Sequence, residues 1–187
     1  MAKKAIILLA DGFEDVEAIT PIDYLRRAGA EITIASVSGS LTVTSRWGGV
    51  KLIADNTLTE LTLRGYSEYD AVIVPGGMPG AVNLAASKET SSLLKDMAAD
   101  GKLICAICAS PVVVLSPLGL ISGKKYTCYP GMEEKTKEGL WSGKSVVADG
   151  NIITSRAAGT AGEFAIAIIE KLFGEEAGKK IAESVLL

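Results

Sequence analysis

Three short stretches constrain this chain more than anything else in it: "KAIILLA" (4–10), "DAVIVPGG" (70–77) and "KLICAI" (102–107). Each has strand length, and none shows the polar alternation of a strand with one wet face. Continuous apolar runs of this kind belong to strands buried on both faces. Between them lie segments with helical spacing. "EDVEAITPIDYLRRAG" (14–29) ends at Gly29, a suitable residue just past a helix, and Pro21 in its interior is expected to kink or split it. "EITIASV" (31–37) reads as a second strand, and "KETSSLLKDMAADG" (88–101) as a helix closed by Gly101. After Cys108, Pro111 suits the first turn of another helix. "SVVADGNIITSR" (145–156) reads as two strands around an Asp149-Gly150 turn, "TAGEFAIAIIEKLFG" (160–174) as an apolar-faced helix, and a short C-terminal helix follows. Strand and helix in alternation predict an α/β fold, a mainly parallel sheet with helices on both faces. Without repeats, low-complexity tracts or linkers, residues 1–187 are expected to form a single domain.

Bulk properties remove several function classes. The net charge is −3, which gives a polyanion no basic surface, so nucleic acid is not an expected partner. The apolar run Ala5–Ala10 follows two lysines but stops at Asp11, too short for a secretory leader, and no stretch reaches the roughly 18 apolar residues of a membrane span. Three cysteines without a repeating framework suit a reducing compartment. The expectation is a soluble cytoplasmic protein with no membrane partner. The chain contains no histidine, which excludes Ser-His-Asp and Cys-His catalysis and any imidazole metal site. No metal and no cofactor are expected.

Two motifs imitate sites. "GLWSGKS" (139–145) has one residue too few between its glycines for a phosphate loop, and a strand pattern follows Lys144 where a helix is needed. Cys105 and Cys108 form a C-x-x-C pair, but Cys105 falls inside a strand pattern and is expected to be buried and inert.

What remains is a constellation. In a parallel sheet the loop after Ala10 with Glu14, Asp15 and Glu17, the turn Gly76-Gly77, and the strand end at Cys108 all open on one edge, where ligands bind. A thiol at a helix start is expected to be stabilised as thiolate by the dipole and nearby amides. A partly buried Glu17 would stay protonated and donate to that sulfur. The amides of Gly77 and Ala109 would stabilise an oxyanion. Against this stands the plain alternative of Cys108 as packing and Glu17 as an exposed carboxylate.

"ADGFEDVEAITPIDYLRRAG", "DAVIVPGGMPGAVNL", "ICAICASPVVVL" and "IITSRAAGTAGEFAIAIIE", in this order along the chain, resemble the ThiJ/PfpI superfamily, a class I glutamine amidotransferase-like group. More closely they are similar to its branch containing the Parkinson-disease-associated protein deglycase. The resemblance implies a flavodoxin-like, doubly wound fold and a homodimer. It implies a reactive cysteine at Cys108 and a protonated glutamate at Glu17, with Gly76 and Gly77 as the adjoining turn. Arg156 in "TSR" and Arg46 in "TSRWGG" are implied near the site, the latter from the dimer partner. The implied activity is a cofactor-independent glyoxalase or deglycase acting on small aldehydes such as methylglyoxal and glyoxal. The rival reading is a peroxide-responsive sensor or redox-regulated chaperone working through a Cys108 sulfinate. A catalytically silent scaffold is the third. Where many members carry a histidine before a proline this chain has Tyr129, a poor base at neutral pH. Cys128 beside it reads as core filler or a second redox thiol. The histidine that peptidase members place after the cysteine is replaced by Ala109, so proteolysis is not expected.

Overall fold

The computed structural model describes residues 2–47 and 49–187. Chain order runs through β1 (Lys4–Leu9), α1 (Asp15–Arg27), β2 (Glu31–Ser36), β3 (Thr42–Thr44), β4 (Lys51–Ile53), β5 (Asn56–Thr57), α2 (Leu58–Arg64), β6 (Ala71–Val74), α3 (Gly80–Ala86), α4 (Lys88–Ala99), β7 (Leu103–Ile107), β8 (Lys125–Tyr126), β9 (Leu140–Trp141), β10 (Val146–Asp149), β11 (Ile152–Ser155), α5 (Ala161–Phe173) and α6 (Glu175–Ser184). Among the described residues the main sheet has seven strands in the order β10-β11-β7-β6-β1-β2-β5. All neighbours are parallel except β10 with β11. The five central parallel strands therefore follow the order 2-1-3-4-5, the flavodoxin-like doubly wound topology, whose ligand crevice lies where the order reverses, between β1 and β6.

The apolar runs are buried on both faces because alternate residues feed two cores. Ile6, Leu8, Val72, Val74, Ile104 and Ala106 face one layer with Leu84, Leu93 and Leu94 of α3 and α4. Ala5, Ile7, Leu9, Ile73, Cys105 and Ile107 face the other with Leu25 of α1 and Phe164 and Ile168 of α5. Each fully buried Leu or Ile contributes about 1.5–3 kcal/mol relative to exposure, so the central strands anchor the fold.

α1 carries Asp15 and Glu17 in its first turn and Arg26 and Arg27 in its last, each sign opposed to the local end of the helix dipole. Pro21 does not split it. The helix runs unbroken from Asp15 to Arg27, and Pro21 lies on the buried stripe with Ala18, Ile22 and Leu25. Tertiary packing of that stripe outweighs the one backbone hydrogen bond a proline removes.

The hairpin between β10 and β11 is present, with Asp149 paired to Ile152, so its two loop residues are Gly150 and Asn151. The turn sits one residue later than the Asp149-Gly150 expected, with Gly150 taking the left-handed φ of +63°. After Cys108 the expected helix is a five-residue π-helical turn, Pro111–Leu115, continued by a single 3₁₀ turn, Ser116–Leu118. The β3–β4 hairpin, β5, β8 and β9 were not anticipated, since two- or three-residue pairings carry too little periodicity to read. Among the described residues no helix is long and apolar enough to cross a membrane.

Candidate active site

β6 lies between β1 and β7, so the three loops at their carboxyl ends meet. Cys108 follows β7 directly with φ of +66°, a left-handed conformation rare for a residue with a side chain. Two bonds hold it there: its amide donates to the Ser155 carbonyl at 3.0 Å, and its carbonyl accepts from the Tyr129 amide at 2.8 Å. Two residues on, the Ser110 hydroxyl donates to the Pro75 carbonyl at 2.6 Å. The left-handed residue turns the sulfur out of the strand toward the β6 turn.

The β6 turn is shaped around that sulfur. At Gly76 a β-carbon would stand 2.6 Å from Cys108 Cβ and 2.6 Å from Glu17 Oε2. At Gly77, with φ of +89°, it would stand 2.5 Å from both the Glu14 nitrogen and the Gly12 oxygen. Gly76→Ala is therefore expected to separate Cys108 from Glu17 and to destabilise the fold by about 1–3 kcal/mol, the usual scale for overpacking. Thermal denaturation together with thiol labelling of the variant checks both effects.

Glu17 is 1% exposed, on the same buried stripe of α1 as Leu25. The Gly76 amide donates to its Oε2 at 2.9 Å. Burial pushes its pKa from 4.5 up to about 7, the neighbouring Glu14 charge adds to this, and hydrogen bonds from Cys108 and the Gly76 and Ala158 amides oppose it. The Cys108 thiol is pushed up to about 12, first by burial, then by the Glu17 charge and hydrogen bond, while the Gly77 and Ala109 amides pull the other way. This differs from the lowered thiol expected from the sequence. The helical segment after Cys108 is too short for a strong dipole, and a carboxylate beside a buried sulfur raises its cost of ionisation.

The two groups form one titrating unit. With both protonated the pair is neutral. It loses its first proton near the Glu17 value, and repulsion in a dry site holds the second. Once the first proton has left, the negative charge rests mainly on Glu17 and the remaining proton on sulfur, and the minor form with the proton on Glu17 has a thiolate facing the Gly77 and Ala109 amides.

The remaining candidates are placed unevenly. Tyr129 is 51% exposed and joins the site through its backbone amide. With Pro130, Arg156, Ala157, Gly159 and Thr160 it lines a cavity of about 420 Å³ alongside the elbow that the left-handed Cys108 makes after β7. Arg156 is half-buried, its Nη2 3.4 Å from Ser145 Oγ. Arg46 is not brought onto the pair within one chain. Its guanidinium lies 4.3 Å from the centre of the Trp47 ring. Gly48 of the "TSRWGG" motif lies outside the described residues. Asp15 has a buried Oδ1 without a hydrogen-bond partner among the described residues, and the Glu14 amide donates to the Gly76 carbonyl. Cys105 is fully buried in β7, and burial raises its thiol well above the ordinary value. Cys128 is also buried, its thiol pushed up to about 12 by burial and by Glu133, whose Oε2 lies 3.9 Å from the sulfur.

Residues 3–171 match the DJ-1/PfpI family. The chain belongs to that family. Relatives in the DJ-1/PfpI family include Protein DJ-1 homolog B of Arabidopsis thaliana, 41% identical over 182 residues that span 97% of this chain and 41% of the plant protein. The chain likewise spans 47% of the plant homolog A, so it corresponds to less than half the length of either. A glutathione-independent glyoxalase of Caenorhabditis elegans, DJR-1.2, is 33% identical over 188 residues, covering 99% of this chain and 97% of the nematode protein. The solved structure of oxidised Toxoplasma gondii DJ-1 superposes with a TM-score of 0.93 at 39% identity, covering 99% of this chain and 98% of that one. The ThiJ/PfpI resemblance carried by the four motifs is thus membership of the DJ-1/PfpI family, and the flavodoxin-like fold it implied is the fold of this chain.

Sequence reasoning missed Ser110, Ser155 and Thr160. Ser155 and Thr160 are buried and join hydroxyls at 2.7 Å behind the elbow. The one signal available was a serine two residues after the candidate nucleophile.

Proposed function

We propose that this protein is a cysteine-dependent, cofactor-independent glyoxalase or deglycase acting on small reactive aldehydes, methylglyoxal and glyoxal foremost. The observation that carries the reading is the placement of Cys108 and the buried Glu17 together against the Gly76 turn, at the carboxyl ends of β1, β6 and β7. The name of the nematode relative supports it. In the proposed reaction Cys108 Sγ adds to the aldehyde carbon of methylglyoxal while Glu17 delivers the proton to the carbonyl oxygen, giving a hemithioacetal. The aldehyde carbon then loses its hydrogen as a proton and the adjacent ketone carbon gains one, with Glu17 carrying it, while the hydroxyl proton passes from the first oxygen to the former ketone oxygen. One carbon is oxidised and its neighbour reduced, so no external oxidant is needed. The product is a lactoyl thioester, and water cleaves its C–S bond to release lactate and restore the thiol. The Gly77 and Ala109 amides face the oxygen that becomes negative, and Arg156 at the cavity wall suits the carboxylate that forms. Tyr129 takes the position of the family histidine as a hydrogen-bond donor, not as a base.

The sensor reading has its own support. The amides and acid that surround Cys108 suit sulfinate oxygens, and the Toxoplasma relative was solved oxidised. Incubation with methylglyoxal, with lactate as readout, and separately with limiting peroxide, with intact mass as readout, divides the two. Lactate that depends on Cys108 is the result expected. Addition of two oxygens at Cys108 without any lactate would reject the enzyme in favour of the sensor.

A homodimer belongs to the same proposal. Val16 and Ile19 on α1 and Val50 and Ile53 of the β3–β4 region are apolar side chains between 40% and 76% exposed, next to Arg46 and Trp47. A second copy covering them is the occupant this proposal assigns to the patch, with Arg46 at its edge as the family resemblance implies. Light scattering is expected to return twice the chain mass.

A further inference from the structure

Ser110 is fully buried, and its hydroxyl donates to the Pro75 carbonyl at 2.6 Å. That carbonyl and the Gly76 N–H belong to one planar peptide unit and point to opposite sides of it. The same Gly76 N–H donates to Glu17 Oε2 at 2.9 Å. A hydrogen bond accepted by the carbonyl fixes the rotation of this plane and polarises it, strengthening the N–H by roughly 10–30%. We infer that Ser110 is a positioning residue for the Cys108–Glu17 pair, acting through the Pro75–Gly76 peptide to set where the shared proton rests. The inference rests on the reading of those two residues as the reactive pair.

The titratable and charged groups facing Glu17 are Cys108 from the elbow and Glu14 from its own helix. The β6 turn and the segment before α5 present the Gly76 and Ala158 amides. Of these, Gly76 is the group that Ser110 touches through a peptide. Its bond favours ionised Glu17 over neutral Glu17, and so favours the form of the pair that keeps the proton on sulfur. The Ser110 hydroxyl therefore holds back the thiolate. Removing it makes Glu17 a weaker acid without changing how readily the thiol ionises beside a neutral Glu17. Two consequences follow that an ordinary loss of packing does not produce. The midpoint of Cys108 labelling moves to higher pH, and the rate reached above the midpoint rises.

The test is the pH profile of Cys108 labelling by iodoacetamide in the full chain, for wild type and Ser110→Ala, with Ser116→Ala as control. Ser116 opens the 3₁₀ turn that follows, and its hydroxyl lies 2.6 Å from Thr136 Oγ1 instead of bonding the Pro75–Gly76 peptide. Ser110→Ala is expected to raise the midpoint by about half a unit and the high-pH rate roughly threefold. Ser116→Ala is expected to lower the melting temperature and leave the midpoint in place. Ser110→Cys, close in size with a weaker donor, moves the midpoint the same way by less, and serves if the alanine variant fails to fold. A Ser110→Ala profile that superposes on wild type, or a fall in rate at an unchanged midpoint, overturns the inference. So does an equal shift in Ser116→Ala. A wild type with no break near neutral pH defeats instead the reading of the pair itself.

Discussion

Cys108→Ser is expected to lower lactate formation from methylglyoxal at least about 10³-fold, the scale on which loss of a covalent nucleophile is felt. The serine hydroxyl would occupy the same left-handed elbow, facing the same Gly77 and Ala109 amides, so binding and oxyanion contacts survive. What disappears is ionisation. A thiol raised to about 12 still exchanges its proton with Glu17, whereas an alkanol in the same place has no accessible anion. Circular dichroism should show the fold retained, because Cys108 contributes one half-buried side chain at the edge of a core built by the central strands. The measurement is lactate released per chain over time. Wild-type rates from Cys108→Ser would transfer the chemistry to some other group.

Glu17→Gln is expected to divide activity from stability. Turnover should fall by about 10²–10⁴-fold, the contribution typical of a positioned acid–base group, since the amide neither carries a proton between carbons nor shares one with sulfur. Stability should move the other way. The folded value of about 7 lies above the ordinary 4.5, so ionised Glu17 is a cost to the folded state. Below 4.5 the carboxyl is neutral whether the chain is folded or not, and its contribution is fully present. As pH rises through about 7 the unfolded chain has long released its proton and the folded chain gives up that contribution, worth about 3 kcal/mol once lost. Glutamine keeps the Gly76 hydrogen bond and carries no charge. The variant should therefore match wild type near pH 4 and melt at a higher temperature at pH 8. Denaturation at the two pH values reads this directly, and a variant less stable than wild type at pH 8 would contradict the burial argument.

Much of this was legible in the residues. The strands were readable because continuous apolar runs have few other uses, and the parallel sheet then placed the ends of the "KAIILLA", "DAVIVPGG" and "KLICAI" strands on one edge. That step alone put Glu17, Gly76-Gly77 and Cys108 together. Glu17 carried a further signal, a carboxylate in register with Ala18, Ile22 and Leu25 on the face of α1 that turns inward.

What was not legible depends on distances no pattern encodes. Pro21 looked like a break because local propensity is visible in sequence while the packing that overrides it is not. The direction of the Cys108 shift was read wrongly for a related reason. A helix following the thiol promises a dipole, but its length, here five π-helical residues, and the closeness of a buried carboxyl decide the balance. Arg46 was placed by resemblance, and in a single chain it stacks on Trp47.

The most direct measurement is site-resolved labelling of the wild-type chain with limiting iodoacetamide between pH 5 and 9, read by peptide mass mapping. The account predicts modification of Cys108 alone, with a rate that rises through about pH 7 and then levels, because one proton leaves the Cys108–Glu17 pair there and the second is held. Labelling of Cys105 or Cys128 at a comparable rate, or a Cys108 rate that climbs tenfold per pH unit through 9 without a break, would contradict it.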